Sequence, residues 1–171
     1  KNGEIASKGK IDGELLDHLM DSPFIRKRPP KTTGREQFGD EFVQAYLRKA
    51  RSRQLKMADV VATATAFTAE SIAYNYRRFV YPRSDIDEVI LGGGGAKNHT
   101  LVRLLRDRLG LPVLFHEDFG IPSEAKEAIA FAILGNQTIE GRPGNVPSAT
   151  GASRAVPLGV VCPSGVACRY A

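Results

Sequence analysis

Four consecutive glycines are the part of this sequence best suited to ligand chemistry. Residues 92–95 are all glycine, the apolar stretch 88–91 precedes them, and Lys97 and Asn98 follow. A backbone without Cβ atoms lets a nucleotide approach closely. A helix that begins just after such a loop favours an anionic or polar ligand by roughly 0.3–1 kcal/mol. The loop predicts a nucleotide site, and a tight turn without a ligand is the alternative.

The glycine loop fits neither of the two common phosphate-binding motifs. A Walker A sequence needs Gly-Lys-Ser or Gly-Lys-Thr, which is absent from this chain. The dinucleotide fingerprint G-x-G-x-x-G needs a third glycine where this chain has Lys97. Any nucleotide bound here must therefore be recognised in another way.

A second candidate for chemistry is Glu127, which follows Lys126 shortly after the Phe-Gly-Ile-Pro sequence at 119–122. Its carboxylate could accept a hydrogen bond from a sugar hydroxyl. It could equally complement the positive end of the helix that begins there. The residues alone leave both interpretations open.

Apolar spacing predicts the elements that must position these residues. Helices are expected over 10–21, over 57–79, from about 101 to Leu109 with a stop at Gly110, and from a Ser123 cap through Ile139. Thr33 and Glu36 have the spacing of a capping box, which predicts another helix start. Short strands are expected at 88–91, 111–115 and 156–161.

The alternation of helix and strand in the middle of the chain predicts an α/β layer. Strands separated by helices pair in parallel through helical crossovers. Two or three strands make a poor sheet with long exposed edges. We therefore expect partner strands upstream of Lys1.

Composition excludes several classes of protein. The 171 residues carry a net charge of +5, and two basic clusters lie at 26–31 and 48–56. We interpret them as a solvated helix face and a loop rim, because no aromatic residues interleave and no zinc-finger spacing occurs. No apolar run approaches a membrane span. The scattered histidines predict no metal site, and Cys162 and Cys168 are expected to be reduced thiols.

Several motifs in chain order carry a family resemblance. They are Pro-Pro-Lys-Thr-Thr-Gly-Arg-Glu at 29–36, Val-Ile-Leu-Gly-Gly-Gly-Gly-Ala-Lys-Asn at 89–98, Phe-Gly-Ile-Pro at 119–122, Lys-Glu-Ala-Ile-Ala-Phe-Ala at 126–132, Gly-Asn-Val-Pro-Ser-Ala-Thr-Gly-Ala-Ser at 144–153 and Leu-Gly at 158–159. Together they resemble anhydro-N-acetylmuramic acid kinases, from Lys1 to about Pro163.

The resemblance implies a fold and an activity. The family belongs with actin, hexokinase and the heat-shock chaperone ATPases, so the fold class implied is the C-terminal part of a ribonuclease-H-like α/β lobe, incomplete without an N-terminal half. The domain assignment is one C-terminal lobe fragment over 1–171, mostly helical over 1–82, α/β and nucleotide-binding over 83–163, with a tail at 164–171. The activity implied is ATP-dependent phosphorylation of 1,6-anhydro-N-acetylmuramic acid with hydrolytic opening of the anhydro ring.

The resemblance also implies site residues, cofactors and partners. The adenosine motif maps onto Gly93, Gly94, Gly95 and Asn98, with Lys97 beside them, and Glu127 matches a sugar-facing glutamate. The catalytic aspartate is expected upstream of Lys1, so the fragment is expected to be inactive alone. ATP and Mg²⁺ are the implied cofactors, with Mg²⁺ held mainly by the missing half.

The implied partners are the anhydrosugar and the N-terminal half of the same enzyme, in the cytoplasm. A homodimer is left open, and neither nucleic acid nor a membrane is expected as a partner. Two alternatives remain at this point. One is a non-catalytic nucleotide-binding or interaction module of the same fold, and the other is a kinase of the same superfamily with a different sugar.

Overall fold

The computed structural model describes residues 1–162 and divides the chain into two compact units, Lys1–Phe119 and a second that begins at Gly120. The helices and strands of the first unit are α1 (Glu4–Ser7), α2 (Gly13–Met20), α3 (Pro23–Arg26), α4 (Arg35–Phe38), α5 (Asp40–Ser52), α6 (Met57–Asn75), β1 (Val89–Leu91), α7 (His99–Leu109) and β2 (Val113–Phe115). A π-helical turn, Tyr76–Val80, extends α6, and 3-10 helices occupy Gly94–Lys97 and His116–Phe119.

Helix α6 is the centre of the first unit. Its buried residues are almost all small, and Ala66, Ala69 and Ala73 have no exposed surface. Helices α1, α2 and α7 all pack against it. Small side chains let neighbouring backbones come close, and a Cβ built on Gly9 would lie 2.0 Å from the Ala58 carbonyl oxygen. The predicted long helix is confirmed, and its first residue, Met57, is exposed.

The two strands pair in parallel, as the alternation of elements predicted. Val89 lies opposite Val113 and Leu91 opposite Phe115, and α7 is the crossover between the strands. The buried face of α7 completes a core with both strands and with α6. Helix α7 ends at Gly110, whose φ of 66° is the left-handed conformation of a glycine cap. The α/β class with parallel strands is confirmed.

A second core joins α2, α5 and α6. It is built from Leu15, Leu19, Tyr46, Ala50 and Val60. The Tyr46 hydroxyl donates a hydrogen bond to the Val60 carbonyl, so the buried phenol has a partner.

Asp12 links this second core to the end of α5. Its carboxylate caps α2 by accepting a hydrogen bond from Leu15 N at 2.8 Å, and it also pairs with Arg53 at 2.9 Å. The hydrogen bond from Arg53 holds the pKa of Asp12 below its ordinary value.

The predicted capping box is only half formed. Helix α4 begins at Arg35, and Gly34 rather than Thr33 is its cap residue. Glu36 does reach back, but its Oε1 accepts a hydrogen bond from Gly34 N at 2.6 Å. The expectation for Thr33 was wrong because the chain enters the helix one residue later than the motif implies.

The second unit contains α8 (Lys126–Ile139) and α9 (Pro147–Thr150). Helix α8 begins after Ala125, so the predicted cap at Ser123 was wrong. The stretch 156–161 forms no strand. Instead Val156 exchanges hydrogen bonds with the 144–145 turn, from Gly144 N to its carbonyl and from its own N–H to Asn145 Oδ1.

Helix α8 is apolar yet has no buried residue within the described part of the chain. Phe131 is 73% exposed and Ile133 is 56% exposed. A helix that is apolar on most of its surface has the sequence of a buried helix. The exposed surface of α8 is therefore suited to packing against a further apolar surface.

Among residues 1–162, no helix has both the length and the apolar character needed to cross a bilayer. Cys162 is disulfide-bonded, so the expectation of a reduced thiol was wrong for this residue. Cys168 and the predicted tail at 164–171 lie outside the described residues.

An ion-pair network fixes the C-terminal end of α7 to α6. Glu70 on α6 accepts hydrogen bonds from Arg108 at 2.6 Å and from Arg77 at 2.5 Å. Burial by itself raises the pKa of Glu70, but the hydrogen bonds and charges of the two arginines outweigh burial, and the pKa lies below its ordinary value. The network therefore stabilises the fold when Glu70 is ionised.

We predict that Glu70→Gln lowers the free energy of unfolding by about 1–2 kcal/mol at pH 7. Because the pKa of Glu70 is depressed in the folded state, its contribution to stability is fully present above the ordinary carboxyl pKa of 4.5 and is lost as pH falls through the folded pKa. Thermal unfolding of both proteins between pH 3 and pH 7 measures the difference. Glu88→Gln, at an exposed carboxylate, is the matched control, and a difference independent of pH would contradict the prediction.

Candidate functional site

The glycine loop leaves the carboxyl end of β1. Ligands of open α/β sheets bind at this end of the strands. The loop tightens into the 3-10 helix Gly94–Lys97, with hydrogen bonds from Ala96 N to Gly93 O at 3.1 Å and from Asn98 N to Gly95 O at 3.0 Å. The structure thus gathers the predicted nucleotide-binding residues Gly93, Gly94, Gly95, Lys97 and Asn98 in one turn.

Asn98 is the N-cap of α7. Its Oδ1 accepts a hydrogen bond from Leu101 N at 3.0 Å. Lys97 ends the 3-10 helix and α7 begins at His99, so both residues precede the first turn of α7. The cap separates the glycine loop from the helix.

The first residues of the chain pack against the start of α7. Asn2 O accepts a hydrogen bond from His99 N at 3.1 Å, and Gly3 O accepts one from Thr100 Oγ1 at 2.9 Å. A Cβ built on Gly3 would lie 2.2 Å from Asn98 Oδ1. Protein groups therefore already occupy the helix start, and sequence patterns gave no signal for this contact.

Gly92 and Gly93 are required by the fold itself. A Cβ on Gly92 would lie 2.1 Å from Cε1 of His116, so a side chain at this position would have to displace the imidazole ring. Gly93 has φ 81° and ψ −171°, a conformation that is essentially restricted to glycine. These two glycines are explained without any ligand.

Gly94 and Gly95 are not required by the fold. Gly94 has no positive φ, and a Cβ built on it meets no atom within 4 Å. At Gly95 a Cβ would meet only Leu101 Cδ2, at an ordinary 3.8 Å. Both residues are exposed. Their lack of side chains leaves open space beside the backbone, which is what a closely bound ligand needs.

The two middle glycines of the loop differ in backbone conformation. A positive φ occurs at Gly93 and not at Gly94. A substitution at Gly94 therefore tests whether a ligand needs the space beside the backbone, and it does not test backbone strain.

His116 is a site residue that the sequence analysis missed. It follows β2 directly, as Gly92 follows β1, and parallel strands bring such residues to the same edge of a sheet. That rule would have found it from the two predicted strands. The sequence analysis counted it only among scattered histidines.

Glu127 lies in the first turn of α8, in the second unit, and is exposed. This position agrees with a carboxylate that complements a helix start and equally with one that faces a ligand. Its predicted sugar-facing role remains a prediction.

A cavity of about 450 Å³ lies along the C-terminal half of α6 and the π-helical turn that follows it. Its walls include Phe24, Phe67 and Tyr76, and Lys31 reaches into it. Lys31 Nζ donates to the carbonyl oxygens of Phe24 and Ile25 at 3.1 and 2.9 Å, so it already has a structural role. Among the described residues that line it, none belongs to the glycine loop, so the two are separate.

Among the residues that the structure describes, no cluster of three or more histidine, cysteine, aspartate or glutamate side chains is placed to hold a metal ion. The described residues therefore supply no Mg²⁺ site of that kind.

We predict that Gly93→Ala lowers the free energy of unfolding by about 1–3 kcal/mol, because alanine must adopt a conformation suited to glycine. Gly94→Ala, the matched control one residue further, should change it by less than about 0.5 kcal/mol. Thermal unfolding without nucleotide measures both. Equal losses would show that the loop conformation differs from the one described.

Comparison with known proteins identifies the family. The family model for anhydro-N-acetylmuramic acid kinase matches residues 1–164. A protein of Bacillus cereus named anhydro-N-acetylmuramic acid kinase is 51% identical over 164 residues, which cover 94% of this chain and 42% of the relative. A relative of the same name in Bacillus anthracis is 48% identical over 162 residues, covering 93% of this chain and 42% of that protein.

The chain thus spans about 42% of the length of the curated relatives it matches. The match covers the glycine loop, both strands and α8. On this match, the chain belongs to the anhydro-N-acetylmuramic acid kinase family.

Proposed function

We propose that this chain is part of an enzyme that phosphorylates 1,6-anhydro-N-acetylmuramic acid with ATP and opens the anhydro ring by hydrolysis, giving N-acetylmuramic acid 6-phosphate. The relatives carry the name of this kinase. The observation that carries the proposal within this chain is the open space beside Gly94, a glycine that the fold does not require. A nucleotide that lies against the backbone explains that glycine.

The residues of this chain would bind the nucleotide. The adenosine would lie against the exposed backbone of Gly94 and Gly95, where no side chain intervenes. Lys97, which is exposed, would bring positive charge to this side of the site. Asn98 would keep the loop in place by capping α7, because its Oδ1 is bonded to Leu101 N. Fixed groups of this kind lower the cost of ordering a ligand.

The chemistry beyond the nucleotide would depend on residues outside this chain. General-base activation of water and the main phosphate contacts are expected there. Mg²⁺, when bound, would neutralise charge on the phosphates, and we assign no ligand for it here. The finer fold assignment, a ribonuclease-H-like lobe that works with an N-terminal half, belongs to the same proposal, as do the cytoplasmic location and a homodimer.

We predict that Gly94→Val weakens ATP binding by the intact protein at least about tenfold, because a branched side chain fills the space beside the loop. The melting temperature without nucleotide should change little, since the same space is empty in the folded chain. Gly13→Val is the matched control, because Gly13 also has no atom within 4 Å of a built Cβ. Isothermal titration with ATP measures both variants.

Unchanged ATP affinity of Gly94→Val would show that the glycine loop is only a turn. Wild-type protein that binds ATP without phosphorylating the anhydrosugar would instead favour a non-catalytic nucleotide-binding module.

We further propose that Glu127 faces the sugar. Glu127→Gln is then expected to lower kcat/KM for the sugar at least about tenfold, since a charged acceptor contributes roughly 1.5–3 kcal/mol. ATP affinity should be nearly unchanged. Glu140→Gln, at the other end of α8, is the control. Normal turnover with a slightly lower melting temperature would mean that Glu127 only complements the start of its helix.

A further inference from the structure

His116 and Gly92 meet where the two strands end. Leu91 pairs with Phe115, so Gly92 and His116 are the next residues on neighbouring strands. A Cβ built on Gly92 would lie 2.1 Å from Cε1 and 2.3 Å from Nδ1 of the imidazole. A side chain at position 92 and this ring cannot occupy that space together. While the ring keeps this position, only glycine fits at position 92, the first residue of the glycine loop.

Several contacts fix the end of β2, where His116 lies. His116 opens the 3-10 helix His116–Phe119, and Asp118 Oδ2 accepts a hydrogen bond from Phe115 N at 2.8 Å. From the other side, Arg106 donates to Val113 O at 3.0 Å, and its guanidinium lies 5.9 Å from the centre of the Phe115 ring. The end of β2 is thus held by its own turn and by α7.

One ring nitrogen of His116 has an unusual environment. Nδ1 is buried and has no hydrogen-bond partner within the described part of the chain. It lies 2.3 Å from the place that a Cβ on Gly92 would occupy, so the ring and the start of the glycine loop are close neighbours. Buried polar atoms without a partner are rare and call for an explanation such as a functional role.

We propose that His116 is a positioning residue of the nucleotide site. Its ring fixes the point at which the chain leaves β1, and so it holds Gly93, Gly94 and Gly95 in the shape that leaves space for a ligand. A loop of four glycines has many conformations, and a support that removes most of them lowers the cost of binding. The inference rests on the proposed function of the loop as an ATP site.

The test uses four variants of the intact protein: His116→Ala, Gly92→Ala, the double variant and the control His18→Ala. His18 is exposed in the last turn of α2 and belongs to no part of the site. Isothermal titration gives the ATP affinity, steady-state kinetics gives KM and kcat, and thermal unfolding gives stability. His116→Ala is expected to raise the Kd and KM for ATP about tenfold. Its kcat and its KM for the sugar should change less than about threefold.

The double variant distinguishes an effect of the contact between His116 and Gly92 from a general loss of stability. Gly92→Ala alone should also weaken ATP binding about tenfold, because its Cβ displaces the ring or the loop. With the ring removed that Cβ has room, so the double variant should lose much less than the product of the two single losses. Independent losses would overturn the proposal.

Two further outcomes also decide the matter. A fall in melting temperature and kcat with unchanged KM for ATP would show that His116 only stabilises the fold, which overturns the positioning role. If the wild-type protein bound no ATP, the proposed function would fail and the positioning role with it. Non-additive melting temperatures would in that case still demonstrate the contact itself. If the wild-type protein binds ATP and the variants bind it equally well, the positioning role alone fails and the proposed function stands.

Discussion

Helix α6 buries mainly small side chains where other helices pack against it, and three of its alanines have no exposed surface. Methyl groups let the backbones of α1, α2 and α7 approach in a way that leucine would prevent, since interiors tolerate little extra volume. Both cores of the first unit share this helix. The position of α7, and with it the glycine loop, therefore depends on the small side chains along α6.

The glycine loop is short, so its geometry depends on the elements at its two ends. Helix α7 is fixed at its start by Asn2 and Gly3 and at its end by the pairing of Arg108 with Glu70. Strand β1 is fixed by its register with β2. With both ends held by these contacts, the loop can remain open at Gly94 without a side chain to fill the space. Rigid elements that carry an adaptable loop are a common design of binding sites.

The sequence predicted the elements whose signals are local. Helix α6, both strands and the Gly110 stop followed from apolar spacing and from residues that end helices. The predicted starts at Thr33 and Ser123 failed because several nearby residues can cap a helix, and the choice depends on how the chain enters it. The strand expected at 156–161 failed because apolar composition alone provides no partner strand, and Val156 bonds to a turn instead.

The site was predicted in outline, since four glycines between a strand and a helix are visible in the sequence. The role of each glycine could not be predicted from the sequence, because four identical residues have different neighbours in the folded chain. Gly92 accommodates a ring that is 24 positions away in the chain, and Gly93 supplies a backbone conformation. Gly94 does neither. The space beside Gly94 is open, and the proposed nucleotide would occupy it. These differences between the glycines appear only when the neighbours of each residue are known.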